Sequence, residues 1–399
     1  MNVAGRFHLT YCSNIHPGET WQAVHAALAA ALPRVRQMLR TNEPLGVGLR
    51  LSAQAAESLD TGEELSAFRT FLRDGNYYVF TLNGFPYGAF HGRRVKEHVY
   101  LPDWRSPARV DYTNRLARIL ASLLADHGEI AGSISTVPGA FKAHIQSAAD
   151  ESDMTSGILA SVAYLADLRR RTGCSIALAL EPEPACYLET TSDAARFFED
   201  HLFNAGAIGS ASVRTGLPLT VDDVRRHAGV CADACHMAVE FEDPAAAFAR
   251  LREAGVRVCK VQASAALRTG VPSNGSDGQR SLGRLADDVY LHQVVERRCG
   301  ALAHYLDLPD ALSASRDETT DAEWRIHFHV PVFLQALCDF ETTQPYLTHV
   351  LDLLKQQDIC PYVEVETYTW DVLPAEYRTT DASVAIAREL AWVRERLES

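Results

Sequence analysis

The chain has no GxGxxG turn and no GxxxxGK[ST] loop, so neither a dinucleotide fold nor a P-loop nucleotide site is expected. No apolar run is long enough to cross a bilayer. Residues Met1 to Thr10 carry one arginine and no apolar stretch of the kind a secretion signal needs, and the expectation is a cytoplasmic protein with no membrane insertion. Positive charge is in deficit: 38 Lys and Arg against 51 Asp and Glu give a net charge of −13. Such a field repels phosphate backbones and offers no basic stripe, so nucleic acid is not an expected partner. Nine cysteines, an odd number, are scattered from Cys12 to Cys360. Cys231 and Cys235 lie near Asp233 and His236, but no second pair at zinc-finger spacing supports a thiolate zinc site. Buried free thiols in a reducing compartment fit better.

What is present is an alternating pattern. A 399-residue chain that is 47% hydrophobic and 22% charged can bury a sizeable core. Eight strand-like apolar runs occur at 7–12, 47–52, 77–82, 132–136, 175–180, 229–232, 256–262 and 362–366. Between them lie amphipathic stretches such as 21–39, 112–126, 158–171, 244–254 and 345–357, whose apolar residues recur at three and four. Eight alternations predict an α/β fold, a (β/α)8 TIM barrel in one elaborated domain over 1–399. Two excursions, about 84–104 and 264–323, read as long insertions in the βα loops and as lids over the barrel mouth. The second is expected to turn helical around 284–305. Phe85, Tyr87, Trp104, Arg268 and Arg325 are the side chains expected to cover the pocket.

Active sites of such barrels lie at the carboxyl ends of the strands, where this chain places its ligand-type residues. Glu181 ends the run Ile176-Ala-Leu-Ala-Leu, and Pro182 then terminates the ladder. Glu183 shares its face if the chain stays extended. Asp233 and His236 lie three apart where a strand gives way to a turn; the bland alternative is a helix cap and a core histidine. His327 and His329 alternate within Ile-His-Phe-His-Val, so both project from one face of an extended segment. Glu364 and Glu366 likewise share a face, and as adjacent inward carboxylates they require a cation or a basic partner. Glu366, nearer the mouth, is the expected ligand; Glu364, one layer deeper, is expected to pair with Arg50 or Lys260. Carboxylate and imidazole converging from separate strands suit a borderline or hard divalent cation, one or more ions of zinc or manganese type. His16, Asn83, His91, Lys260, Gln262 and Glu364 are the expected substrate contacts, with loop hydrogen bonding as the alternative for the first three.

The order Glu181, Asp233-x-x-His236, a histidine before the last helix and Glu366 resembles the xylose-isomerase-like TIM barrels, which also include sugar epimerases and endonuclease IV. Leu9-Thr-Tyr-Cys-Ser-Asn-Ile-His-Pro-Gly-Glu-Thr-Trp21, Asn83-Gly-Phe-Pro-Tyr-Gly88 and Glu364-Val-Glu-Thr-Tyr-Thr-Trp370 resemble more closely the EboE family of metabolite traffic proteins. The superfamily resemblance implies metal positions at Glu181, Asp233, His236 and Glu366, with His327 or His329 in the loop-ligand role. The chain departs from the pattern at Gln262, where an epimerase would carry histidine. It departs again at Val137-Pro-Gly139, where endonuclease IV carries histidine before Pro-Gly, and this argues against a three-zinc nuclease.

The reading that follows is isomerisation or epimerisation of a small polyhydroxylated or carbonyl metabolite, with Glu181 and Glu366 as the proton-moving groups. It is placed in a metabolite biosynthesis or export pathway, whose other proteins are possible partners. The rival from another class is a non-catalytic metabolite carrier or scaffold, and an endonuclease-like metallohydrolase stands behind both.

Overall fold

The structure, a computed structural model, describes residues 1–89, 96–128, 130–286, 290–314, 322–371, 373 and 381–399. Its strands, in chain order, are β1 (Asn2–Val3), β2 (Phe7–Tyr11), β3 (Leu45–Arg50), β4 (Tyr77–Asn83), β5 (Gly132–Thr136), β6 (Ile176–Leu180), β7 (Ala228–Asp233), β8 (Arg257–Ala263), β9 (Leu267–Gly270), β10 (Val294–Arg298), β11 (Ala301–Tyr305), β12 (Ala322–Ile326), β13 (Ala336–Leu337), β14 (Phe340–Thr342) and β15 (Tyr362–Val365).

Eight of these run parallel in the order β2-β15-β8-β7-β6-β5-β4-β3, with β1 added antiparallel beside β2. A parallel bridge between Cys12 and Gly48, and the Arg50 amide donating to Ser13 Oγ at 2.8 Å, join β2 to β3. The sheet therefore closes on itself as a (β/α)8 barrel, and each expected strand supplies one stave. Strands β3 to β7 are buried on both faces, which is why they read as continuous apolar runs rather than alternating ones. Gly48 has a local reason: a Cβ there would overlap the Glu364 carboxylate and the Tyr11 carbonyl inside the closed barrel.

The outer helices follow their sequence signals. Helix Trp21–Leu39 buries Trp21, Val24, Leu28, Leu32, Val35 and Leu39 along one stripe and is capped by Thr20. Pro107 and Pro244 open helices behind the caps Ser106 and Asp243. Ser147 caps helix Ala148–Thr172, which stops at Gly173 in the left-handed region.

The second excursion departs from expectation. From β9 to β14 it forms a six-stranded sheet of order β11-β10-β12-β9-β14-β13, antiparallel at every pairing. The expected helix around 284–305 is replaced by the hairpin β10–β11, whose two-residue turn Cys299-Gly300 has positive φ at both positions. That geometry matches the twist of paired strands, and β-branched Val294 and Val295 favour extension. The apolar spacing of Val295, Leu302 and Tyr305 imitated a helix. The sheet also runs to Thr342, beyond the expected end of the insertion at 323.

Candidate metal centre

At the carboxyl end of the barrel Glu181, Glu183, Asp233, His236, His327, His329 and Glu366 are all buried and converge. One ligand atom each from Glu181, Asp233 and Glu366 lie within 4.8 Å of one another; so do those of Asp233, His236 and His329, and those of Glu183, His236 and His327. Cys235 joins His327 and His329 in a further group of the same span.

Local structure fixes each side chain. Asp233 ends β7 and caps the helix Ala234–Val239: Oδ1 accepts the His236 amide at 3.0 Å and the Ser264 hydroxyl at 2.7 Å. The cap and the ligand readings of Asp233 are thus compatible, because Oδ2 has no hydrogen-bond partner among the described residues. Glu366 follows β15, and its Oε1 accepts Nδ2 of both Asn14 (2.9 Å) and Asn83 (3.0 Å). Glu181 follows β6 and leaves Oε2 without a partner among the described residues.

The imidazoles are oriented through Nδ1. His236 Nδ1 donates to the Pro182 carbonyl at 3.0 Å and His329 Nδ1 to the Glu366 carbonyl at 2.8 Å. Gln293 spends its amide nitrogen on the Tyr100 hydroxyl and the Pro184 carbonyl, so its Oε1 accepts from His327 Nδ1 at 2.8 Å. In each neutral ring the proton sits on Nδ1 and Nε2 presents a lone pair. His329 Nε2 has no partner among the described residues, and the Nε2 atoms of His236 and His327 face each other at 3.1 Å.

Burial governs the electrostatics. It raises Glu181, with Asp233 adding to the effect, and raises Glu366, with Glu181 and Asp233 adding. Burial pushes Glu183 up to about 8 although the Tyr100 hydroxyl at 2.8 Å opposes the shift. His236 falls to about 4, and His327 and His329 also fall, chiefly through burial. For Asp233 burial works upward, but His236, His329 and the two donated hydrogen bonds outweigh it and the carboxyl sits below its ordinary value. Neutral nitrogen donors beside crowded carboxylates are the donor set a divalent cation relieves.

Not every expected residue reaches the cleft. Lys260 and Glu364 are fully buried one layer down and pair at 2.5 Å, Lys260 also donating to Ser135 Oγ at 3.0 Å. Burial alone would lower Lys260, but Glu364 and neighbouring acidic groups raise it. Gln262 accepts the Cys231 thiol at 3.0 Å in the barrel interior. His16 bonds the Tyr11 hydroxyl at 3.1 Å, and Asn83 serves Glu366. Of these five expected substrate contacts, four pack in or beside the barrel, and Asn83 positions a carboxylate. His91 lies outside the described residues. Tyr100, Ser264 and Gln293 were not among the expected site residues, since an isolated polar side chain gives no periodic signal.

The cleft above the centre is lined from both excursions, by Phe85, Lys96 and Tyr100 of the first and Tyr290, Leu291 and His327 of the second. Lys96 ties the two together, donating to the Tyr290 carbonyl and to Asp307 Oδ2, both at 2.6 Å. Of the five side chains expected to cover it, only Phe85 lines it. Tyr87 packs on Tyr112, Trp104 is buried with Nε1 on the Val137 carbonyl, Arg268 pairs with Glu323 and Glu341, and Arg325 holds the Ala238 carbonyl.

No protein-family model and no curated protein sequence matches the chain. Among solved structures it is similar to a xylose isomerase-like TIM barrel protein from Mycobacterium smegmatis in complex with magnesium, at 12% identity and TM-score 0.49 over 100% of this chain and 99% of that one. It is also similar to the probable 3-DHS dehydratase AsbF from Bacillus anthracis, at 11% identity and TM-score 0.47 over 96% and 97% of the two chains. A third is the 3-keto-D-glucoside 4-epimerase YcjR from E. coli, at 13% identity and TM-score 0.45 over 98% and 100%.

Proposed function

We propose that this chain is a metal-dependent isomerase or epimerase of a small polyhydroxylated carbonyl metabolite. The observation that carries the reading is the set of buried ligand atoms without a hydrogen-bond partner among the described residues, Glu181 Oε2, Asp233 Oδ2 and His329 Nε2, with Asp233 grouped both with Glu181 and Glu366 and with His236 and His329. Without a cation, burial drives Glu181 and Glu366 toward their neutral forms and leaves Asp233 as a buried charge, whose desolvation costs on the order of several kcal/mol. Glu181, Asp233, His329 and Glu366 would hold a divalent ion of zinc or manganese type, which when bound supplies Lewis-acid stabilisation of negative charge on a substrate carbonyl oxygen.

The remaining work falls to side chains. Glu181 and Glu366 stand three strands apart around the barrel, so they approach a bound substrate from different sides. One takes the proton from the carbon next to the carbonyl; the other returns a proton to the opposite face or to the neighbouring carbon. Asn14 and Asn83 hold Glu366 in place for this exchange. Phe85, Tyr100 and Leu291 restrict water above it.

A carrier that binds without turnover is the second reading, supported by the resemblance to the EboE family. Both follow from the same pocket, and proton exchange separates them. The zinc- or manganese-loaded protein is incubated in D2O with a panel of aldoses, ketoses and oxidised cyclitols and followed by NMR. Deuterium entering next to the carbonyl, and absent with Glu181→Gln or Glu366→Gln, supports the isomerase. A ligand that binds with no exchange at any carbon supports the carrier.

A further inference from the structure

We propose that strand β11 is a docking edge for a second copy of this chain, which pairs with it antiparallel about a two-fold axis at Ala303 and continues the six-stranded sheet into its own. The inference is independent of what occupies the metal centre.

An open sheet edge presents unpaired N–H and C=O groups, and folded chains blunt such edges with very short strands, lysine, proline or bulges, or remove them by closing the sheet. The other edges here are treated in this way. The barrel closes on itself, β1 beside it has two residues, and β13 at the far end of the six-stranded sheet also has two. β11 is different: it runs for five residues, Ala301-Leu-Ala-His-Tyr305, without lysine, proline or bulge, and its first four residues are exposed. No strand among the described residues lies beyond it. Exposed large hydrophobic side chains gather there as well, Leu302 on the strand and Leu306 directly after it.

Register decides which backbone groups face outward. The turn Cys299-Gly300 makes Arg298 and Ala301 the closing pair, and in a two-residue hairpin that pair exchanges hydrogen bonds. The other side of β10 keeps the same alternation, with the His327 amide donating to the Gln293 carbonyl at 2.8 Å. Ala301, Ala303 and Tyr305 therefore turn their N–H and C=O groups to β10, and Leu302 and His304 turn theirs away from it.

Those outward groups are symmetric about Ala303, which favours a second copy over an unrelated strand. Self-pairing about Ala303 sets Leu302 against the partner's His304 as a hydrogen-bonded pair, and the two-fold axis repeats it. Ala303 meets the partner's Ala303 in a non-hydrogen-bonded pair, where Cα atoms approach to about 4.5 Å and a small side chain fits. Tyr305 meets the partner's Ala301, large against small. His304 is the one side chain of the strand that carries charge near neutral pH, and Glu240 already pairs with it at 3.0 Å, so no bare like charges meet. The partner's Cys299-Gly300 turn comes to lie beside Leu306, at the rim of a cavity lined by Phe141, Pro184, Ala185, Tyr305 and Leu306, which adds apolar contact to the strand pairing. The extended sheet is also the one that carries Gln293, just before β10, and His327, just after β12, to the metal centre.

Sedimentation velocity of the full chain over a range of concentrations tests this, and a reversible dimer is expected. Ala303→Glu and Ala303→Lys each oppose like charges at the axis, so each alone should lose the dimer while circular dichroism stays unchanged. An equal mixture of the two should regain it, because unlike charges then face each other. A wild-type chain that is monomeric at every concentration overturns the proposal. So does a dimer that both variants leave intact, because the copies then meet through another surface, and so does a mixture that stays monomeric. Should a variant fail to fold, hydrogen exchange in the wild type decides: protection of the Leu302 and His304 amides that rises with chain concentration is expected, and exchange independent of concentration overturns the pairing.

Discussion

Asp233 shows how much one carboxylate can carry. Its Oδ1 caps a helix and its buried Oδ2 has no hydrogen-bond partner among the described residues, so Asp233→Asn keeps an acceptor for the cap while removing the charge a cation needs. We expect Asp233→Asn and Glu366→Gln to lose the carboxylate-bound ion with little change in thermal stability of the metal-free protein, as measured by metal content and thermal unfolding. Glu364→Gln should behave differently. It leaves Lys260 buried without its counter-charge, and breaking such a pair costs about 3–5 kcal/mol. Thermal unfolding should report that loss, and a Glu364→Gln protein as stable as wild type would contradict the pairing. At this scale the sequence located the ligand-type residues that converge through their position at the ends of apolar strands, and it named the Lys260–Glu364 pair as one of two options. It was silent on Ser264, Tyr100 and Gln293, whose roles depend on distant chain segments meeting.

Elements were legible where burial imposes a long pattern. The eight staves appear as apolar runs because parallel barrel strands are covered on both faces, and the helices through caps and three-four spacing. The β10–β11 hairpin was missed because its outer strand is exposed, so no alternation marked it, and only the Cys299-Gly300 turn carried a signal. Closure of the barrel depends on β2 meeting β3 without a side chain at Gly48. Gly48→Ala should lower stability by about 1–3 kcal/mol or more, as overpacking does; an unchanged unfolding temperature would refute the close approach. The last helix offers a pH test. Glu389 on helix Ala382–Glu398 bonds the Thr367 hydroxyl at 2.7 Å and the Val332 amide at 3.1 Å. Burial nonetheless raises it from 4.5 to about 7. A raised carboxyl contributes stability that is full below 4.5 and lost as pH climbs through 7. The stability difference between wild type and Glu389→Gln should therefore shift against wild type from pH 5 to pH 8, and a constant difference would exclude the effect.

For the whole molecule, a net charge of −13 gives no counterion-release gain on a phosphate backbone. Duplex DNA, abasic duplex included, should not bind measurably at physiological salt. Salt-dependent micromolar binding with metal-dependent cleavage would move the chain to the nuclease side of the superfamily it resembles. No helix among the described residues is long and apolar enough to cross a membrane. The barrel brings carboxylates from β6, β7 and β15 together with histidines carried on the second excursion, and the account stands on what occupies the space between them. The most direct measurement is an anomalous difference map, at the zinc and manganese absorption edges, from crystals of protein purified without chelator. The account predicts a peak bounded by Glu181, Asp233, His329 and Glu366. A map without anomalous signal, with ordered water alone satisfying Glu181 Oε2, Asp233 Oδ2 and His329 Nε2 in protein supplied with both metals, would contradict it.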